Sequence, residues 1–153
     1  MPILPDVLET GLKVVFCGTA VGTQSAKARC YYAGQGNKFW QTLRAIGLTP
    51  RQFAPREFPL LLQYGVGLTD LNQRSFGADR PLRFSGEDRD LLRAKIIHFR
   101  PRVIAFTSKT AAEKFFERPM SLGRQVEPIG FSLVFVLPST SGLANRTKML
   151  HQL

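Results

Sequence analysis

The chain has 153 residues, 44% of them hydrophobic, which is enough to bury a sizeable core and excludes an intrinsically disordered protein. Its 21 lysines and arginines against 11 acids give a formal net charge of +10, which favours a polyanionic partner, most commonly nucleic acid. No apolar run is long enough to cross a bilayer and residues 1–12 do not resemble a secretory leader, so we expect one monomeric, cytoplasmic domain over residues 1–153 with no membrane partner.

Strand-like and helix-like segments alternate along the chain. Short apolar runs predict strands, and apolar residues three or four positions apart predict helices. A capping pattern at Ser85 begins one helix, Pro101 ends it, and Ser108 caps the next. In chain order, the predicted elements are a strand at 12–17, helices at 37–47 and 57–64, a strand at 66–71, a helix at 87–99, a strand at 103–107, a helix at 108–116, a strand at 133–137 and a final helix after 142.

This alternation predicts the fold class. Strands separated by helices favour an α/β fold, here a three-layer α/β/α sandwich around a mainly parallel four-stranded sheet. Ligands bind such sheets beyond the carboxyl ends of the strands. The segments after Phe16, Leu68 and Leu137 are therefore the candidate functional loops.

Metal and cofactor chemistry is not indicated by the sequence. The two cysteines, Cys17 and Cys30, are too few for a four-thiolate iron–sulfur cluster. The two histidines, His98 and His151, have no zinc-ligand spacing to each other or to the cysteines. We expect no metal and no cofactor.

Three segments carry residues suited to binding. Glycines in the loop 18–23 allow a close approach of backbone to ligand, although a tight turn without a ligand has the same pattern. Adjacent Tyr31 and Tyr32 in a glycine-rich loop suit stacking on a base, or are ordinary half-buried aromatics. Asn37 caps the helix that follows it or serves the site.

The segment after the last predicted strand is rich in hydroxyls. Ser139, Thr140 and Ser141 stand at a predicted helix start, where they either cap the helix or bind a phosphate. Leu143 follows on the same rim, where an apolar side chain is suited to wedge between stacked bases.

Together these segments resemble one family. Residues 15–18 with Gly22 look like the first motif of the mismatch-specific uracil-DNA and thymine-DNA glycosylases of the uracil-DNA glycosylase superfamily. Residues 32–40 resemble the aromatic-to-Asn-x-Phe-Trp stretch of those enzymes and of hypoxanthine-DNA glycosylases. Residues 64–70 are similar to their second strand, and residues 137–143 to their last motif.

The resemblance implies an enzyme that flips a deaminated base out of DNA, uracil foremost, and hydrolyses its N-glycosidic bond without a metal or cofactor. By position, the backbone of Gly18, Thr19 and Ala20 would face the base and Tyr32 would stack on it. The residues that would contact DNA are Ser139, Thr140, Ser141, Gly142, Leu143, Asn145, Arg146 and Lys109.

The sequence departs from the family at a catalytic position. Ala20 stands where family members carry Asn or Asp, and an alanine neither orients nor activates water. Asn37 and Asp70 are the candidate replacements, because the predicted helix start and strand end that carry them open onto the same rim. By position Asp70 would also bind the base, and as a carboxylate it would accept from uracil N3–H or act as a general base. For Asp70, the alternative is a turn-starting aspartate before Asn72.

Several functions remain compatible with these residues. Uracil, mismatched thymine and hypoxanthine all fit the scaffold as the base removed. A non-catalytic protein that binds damaged or mismatched DNA is the main alternative, because it needs no catalytic side chain at Ala20. An enzyme of small nucleotides is the third, and it would need no wedge at Leu143.

Overall fold

Five strands form the central sheet of the computed structural model, which describes residues 2–74 and 84–140. Their spatial order is β2-β1-β3-β5-β4, and all neighbours are parallel except the pair of β4 and β5. The strands are β1 (Val14–Gly18), β2 (Val66–Asp70), β3 (Val103–Phe106), β4 (Gly123–Arg124) and β5 (Leu133–Val136). The predicted α/β class is confirmed, but the sheet has five strands and not four. The two-residue β4 is too short to show an alternating pattern in sequence.

The helices follow the predicted order with local differences. They are α1 (Thr23–Ala28), α2 (Phe39–Ala45), a 3-10 helix (Pro55–Tyr64), α3 (Gly86–Phe99) and α4 (Lys109–Phe116). The sequence analysis missed α1, which buries only Ser25 and therefore has no apolar stripe. The predicted helix at 57–64 is a 3-10 helix that contains Pro59, a residue without an N–H for the α-helical ladder. The final helix predicted after residue 142 lies outside the described residues.

Two apolar layers cover the two faces of the sheet. Phe16, Leu68 and Phe135 face the layer built with α2 and the 3-10 helix. Cys17 and Phe106, one residue out of step with that pattern, face the layer built with α3 and α4. This period of two along the strands places helices on both sides and confirms the three-layer sandwich.

The loops after the strands are joined at the carboxyl edge of the sheet. The Leu71 N–H donates to the Gly18 carbonyl at 2.8 Å, and the Asn72 N–H donates to the Thr19 carbonyl at 2.8 Å. The Thr107 N–H donates to the Cys17 carbonyl at 2.9 Å. These bonds continue the parallel pairing beyond the strands and hold the loops in fixed relation. In the described part of the chain, no helix is long and apolar enough to cross a membrane.

Candidate active site

A cleft of about 340 Å³ lies at the carboxyl edge of the sheet. It brings together most of the residues that the sequence analysis selected from three separate loops. Its lining consists of Leu4, residues 18–25, Tyr31, Tyr32, Gly34, Asn37, Asp70, Thr107, Ser108, Ser139 and Thr140. The edge of a parallel sheet where its strands end is where such a site is expected.

The remaining candidates are placed differently. Lys109 does not line the cleft but begins α4, directly after the lining residue Ser108, and its side chain is exposed. The structure does not describe Ser141, Gly142, Leu143, Asn145 or Arg146. Among the described residues, no cluster of three or more His, Cys, Asp or Glu side chains is arranged to hold a metal.

The two adjacent tyrosines have different surroundings. Tyr31 is only 3% exposed, packs edge-on against Phe58 and donates its hydroxyl to the Pro5 carbonyl at 2.9 Å. The prediction that both tyrosines suit base stacking is therefore wrong for Tyr31, which is a core residue. The sequence pattern did not distinguish the buried Tyr31 from Tyr32, because their different surroundings depend on a left-handed backbone turn at Tyr32 (φ +52°).

Tyr32 presents its hydroxyl to the cleft from a fixed position. Its ring stacks on Phe39, with ring centres 3.9 Å apart, and its hydroxyl donates to the Thr107 hydroxyl at 3.5 Å. Burial raises the pKa of the Tyr32 phenol far above its usual range, so the group remains a neutral donor. A left-handed backbone is uncommon for an aromatic residue and is typical of functional sites.

Asn37 lies just before α2 and lines the cleft, whereas the N-cap of the helix is Lys38 and not Asn37 as predicted. Its side-chain Oδ1 accepts from the Phe39 N–H at 2.9 Å and from the Thr140 hydroxyl at 2.9 Å. Both lone pairs of that oxygen are therefore occupied. The Nδ2 group has no hydrogen-bond partner within residues 2–74 and 84–140. Asn37 can therefore act toward a ligand in the cleft as a hydrogen-bond donor and not as an acceptor.

Asp70 is a buried carboxyl at the end of β2. It is 6% exposed and lies beside Gly18 in the register of β1 and β2. A side chain at Gly18 would collide with it, because a Cβ atom there would lie 2.7 Å from Asp70 Oδ1. Desolvation, reinforced by the charge of Asp6, raises the pKa of Asp70 to about 8, although the Gly18 N–H and the Lys95 ammonium act in the opposite direction.

The raised pKa makes Asp70 mostly protonated at neutral pH. In that form it presents one O–H donor and a carbonyl acceptor. The alternative role as a turn-starting residue belongs instead to Asn72, whose Oδ1 accepts from the Arg74 N–H at 3.0 Å. A buried carboxyl of shifted pKa in a cleft is a candidate for acid–base chemistry.

Thr107 is a site residue that the sequence analysis missed. The Gly18 Cβ position lies 3.5 Å from its hydroxyl, 3.7 Å from the Tyr32 hydroxyl and 2.7 Å from Asp70, so these three polar groups surround one glycine. Thr107 directly follows β3. The rule that selected the loops after the other parallel strands would have found it had it been applied there.

A polar network lies beside Asp70 at the edge of β2. The Asp6 carboxylate accepts from the Thr69 hydroxyl at 2.6 Å and from Gln73 Nε2 at 2.6 Å, and it pairs with Lys95 Nζ at 2.7 Å. Lys95 also donates to Gln73. These residues are far apart in sequence, and no local pattern connects them. The network fixes the charges that act on Asp70.

The first and last loops of the site differ from the pattern of the family that the sequence resembles. Ala20 lines the cleft with a methyl group, and Val21 is buried in the core at 5% exposure. Thr140 is buried and its hydroxyl hydrogen is donated to Asn37, whereas Ser139 is exposed on the rim. The site thus has no polar side chain at position 20, and Thr140 serves to hold Asn37.

Comparison with known proteins identifies the same family over almost the whole chain. A family model described as the uracil DNA glycosylase superfamily matches residues 5–152. A solution NMR structure from Methanosarcina acetivorans, provisionally described as a uracil DNA glycosylase, is similar with a TM-score of 0.63. Its sequence is 20% identical, and the match covers 98% of this chain and 93% of that one. At that identity the likeness shows the fold alone.

Proposed function

Because this chain belongs to the uracil DNA glycosylase superfamily, we propose that it is a monofunctional glycosylase that removes a deaminated base, uracil foremost, from DNA. The observation that carries the proposal is the cleft that the buried carboxyl of Asp70 shares with Asn37 and with Tyr32. Within the superfamily we place it nearest the mismatch-specific enzymes, with the hypoxanthine-type segment at residues 37–40.

The cleft suits a flipped base. Its volume of about 340 Å³ is that of a small ligand site. The backbone of Gly18, Thr19 and Ala20 forms one wall, and Tyr32 faces the same space. Uracil and hypoxanthine both offer a carbonyl beside a ring N–H, and a neutral carboxyl such as Asp70 complements such an edge by donating and accepting at once.

The proposed chemistry centres on the leaving base. Cleavage passes through an oxocarbenium-like sugar while negative charge grows on the base. Asn37 Nδ2 donates a hydrogen bond to that charge. Asp70 transfers its proton to the departing base, and the Asp70 carboxylate then accepts the proton released when water adds to the sugar cation. Because the cation forms early, the attacking water needs less activation. The absence of an amide or carboxylate at Ala20 is then tolerated.

Contacts to DNA outside the cleft belong to the proposal as well. We propose that phosphates contact Ser139, which is exposed on the rim, and Lys109, which follows the lining residue Ser108. We further propose that Ser141 contacts a phosphate and that Gly142 and Leu143 fill the stack vacated by the flipped base. Asn145 or Arg146 would then contact the opposite base. Affinity for DNA should fall steeply with salt, since phosphate contacts release counterions.

The alternative function is a binding protein that recognises damaged or mismatched bases without cutting. Ala20 is the observation that favours it. The deciding experiment is an incision assay on uracil, mismatched thymine and hypoxanthine, each in duplex and in single-stranded DNA. We expect release of uracil. Binding of these substrates without release of any base would establish the binding protein instead, and preferential release of hypoxanthine would establish a hypoxanthine glycosylase.

A further inference from the structure

A second groove lies at the opposite edge of the sheet, where the parallel strands begin. It has a volume of about 510 Å³, and its floor is apolar, with Val14, Leu48 and Phe135 among its residues. Lys13, Arg102 and Arg124 also line it, together with Phe131. We call it the amino-edge groove. It is separated from the cleft by the length of the strands, about 15 Å at about 3.3 Å per residue.

The charges of the amino-edge groove are of one sign. Its described lining holds three cations and no acidic side chain. Arg100 adds a fourth cation, since its guanidinium lies 4.4 Å from the centre of the Phe131 ring. All four are exposed. None of them forms an ion pair within residues 2–74 and 84–140, although five other cations do so there. Unneutralised cations around one groove favour a polyanion.

Phe131 is held outwards by the backbone. It is 78% exposed at the tip of a tight turn, in which Ile129 and Ser132 exchange two backbone hydrogen bonds of 3.0 and 2.9 Å. Gly130 supplies the left-handed residue of the turn (φ +57°). The Ser132 hydroxyl donates to the Pro101 carbonyl at 2.6 Å and ties the turn to the start of β3. The ring is therefore presented on a rigid support.

We infer that the amino-edge groove binds a single strand of nucleic acid. Lys13, Arg102 and Arg124 contact phosphates, and Phe131 stacks on a base. A cationic groove combined with an exposed aromatic ring is the usual means of binding single strands without sequence preference. The ring requires an unpaired base, because the faces of paired bases are covered by their neighbours. This site does not depend on the cleft or on its chemistry.

The first test measures the affinity for an unmodified thymidine oligonucleotide of about 6 nucleotides, near the short end of the range of about 4–16 nucleotides covered by one single-strand-binding domain. Phe131→Ala should weaken binding about tenfold, the effect of removing one ring that stacks on a base. The double variant Arg102→Ala/Arg124→Ala should lower the slope of log affinity against log salt by about 1.4, at about 0.7 for each phosphate that the protein no longer neutralises.

A matched control removes the same charge from another face. Arg93 and Arg118 are exposed like Arg102 and Arg124, but they do not line the amino-edge groove. The double variant Arg93→Ala/Arg118→Ala should bind the oligonucleotide within about a factor of two of the parent protein, because exposed charges away from the bound strand act weakly. An equal decrease in this control, or an unchanged affinity in Phe131→Ala, would overturn the inference.

The second test locates the strand and separates other partners. An oligonucleotide that contains 4-thiothymidine should crosslink to the peptide carrying Phe131, and crosslinks confined to residues 18–40 would contradict the inference. Polyglutamate of matched charge should not displace the oligonucleotide, since displacement would point to an acidic protein as the partner. Sedimentation should show a monomer, since a dimer that Phe131→Ala dissociates would make the groove a contact between two copies.

Discussion

The two edges of the same sheet are built for different tasks. At the carboxyl edge, the cleft holds the buried Asp70 among neutral polar groups such as Thr107 and Tyr32. At the amino edge, the groove exposes cations and the ring of Phe131. A carboxyl acts as an acid at neutral pH only where water is excluded, whereas attraction of phosphates needs charges that reach solvent. The difference supports the proposal that catalysis and much of the electrostatic attraction for nucleic acid belong to separate surfaces.

This comparison predicts its largest effect at Asp70. The isosteric Asp70→Asn variant keeps the shape of the cleft and a hydrogen-bond donor, but it has no acidic proton to transfer to the departing base, so single-turnover cleavage of a uracil-containing duplex should fall about 10²–10⁴-fold. Binding of the same duplex should remain. Asp90→Asn, a change on an exposed side chain of α3, is the control and should cleave at the parent rate. Cleavage by Asp70→Asn at the parent rate would remove Asp70 from the mechanism.

A smaller effect is expected where Asn37 is held. Thr140→Val removes the hydroxyl that donates to Asn37 Oδ1 at 2.9 Å, and the amide then loses part of its orientation. One such bond contributes about 1 kcal/mol, so cleavage should fall about fivefold while the fold is kept. Thr49→Val is the matched control, since it removes a buried hydroxyl that donates to the Arg51 carbonyl outside the cleft. Equal cleavage by both variants would show that Thr140 does not position Asn37.

The effect on stability is of a different kind, and it carries a definite sign. The pKa of Asp70 rises on folding from 3.8 to about 8, so its favourable contribution is complete below pH 3.8 and is lost as the pH rises through about 8. Asp70→Asn removes that loss. Its melting temperature should exceed that of the parent at about pH 9 and differ little at about pH 4. A difference that does not depend on pH would mean that burial does not shift the pKa of Asp70.

The fold was largely predictable because apolar periodicity reports burial directly. The strand at 103–107 and the helix at 87–99 both appear within a few residues of their predicted bounds. The two elements that were not predicted have no apolar periodicity, since α1 buries a single residue and β4 has only two residues. Short elements of this kind are specified by tertiary contacts.

The candidate site was predictable only in part. Gly18, Tyr32, Asn37 and Asp70 were selected because they follow strands or begin helices, and the structure places all four around one cleft. The ionisation of Asp70 was not predictable, since it depends on burial and on charges brought from distant segments. Likewise, sequence suggested for Asn37 both a cap and a functional group. In the structure, the Phe39 N–H and the Thr140 hydroxyl occupy its oxygen, and its nitrogen has no hydrogen-bond partner among the described residues.

The pH dependence of cleavage tests the central claim most directly. Single-turnover rates on a uracil-containing duplex should be measured with protein in excess, so that binding does not limit them. If protonated Asp70 assists the leaving base, the rate should be constant below about pH 8 and decline above it, and the residual rate of Asp70→Asn should show no such decline. A rate that instead rises through pH 8 would show that the carboxylate acts as a general base, and the account given for Asp70 would be wrong.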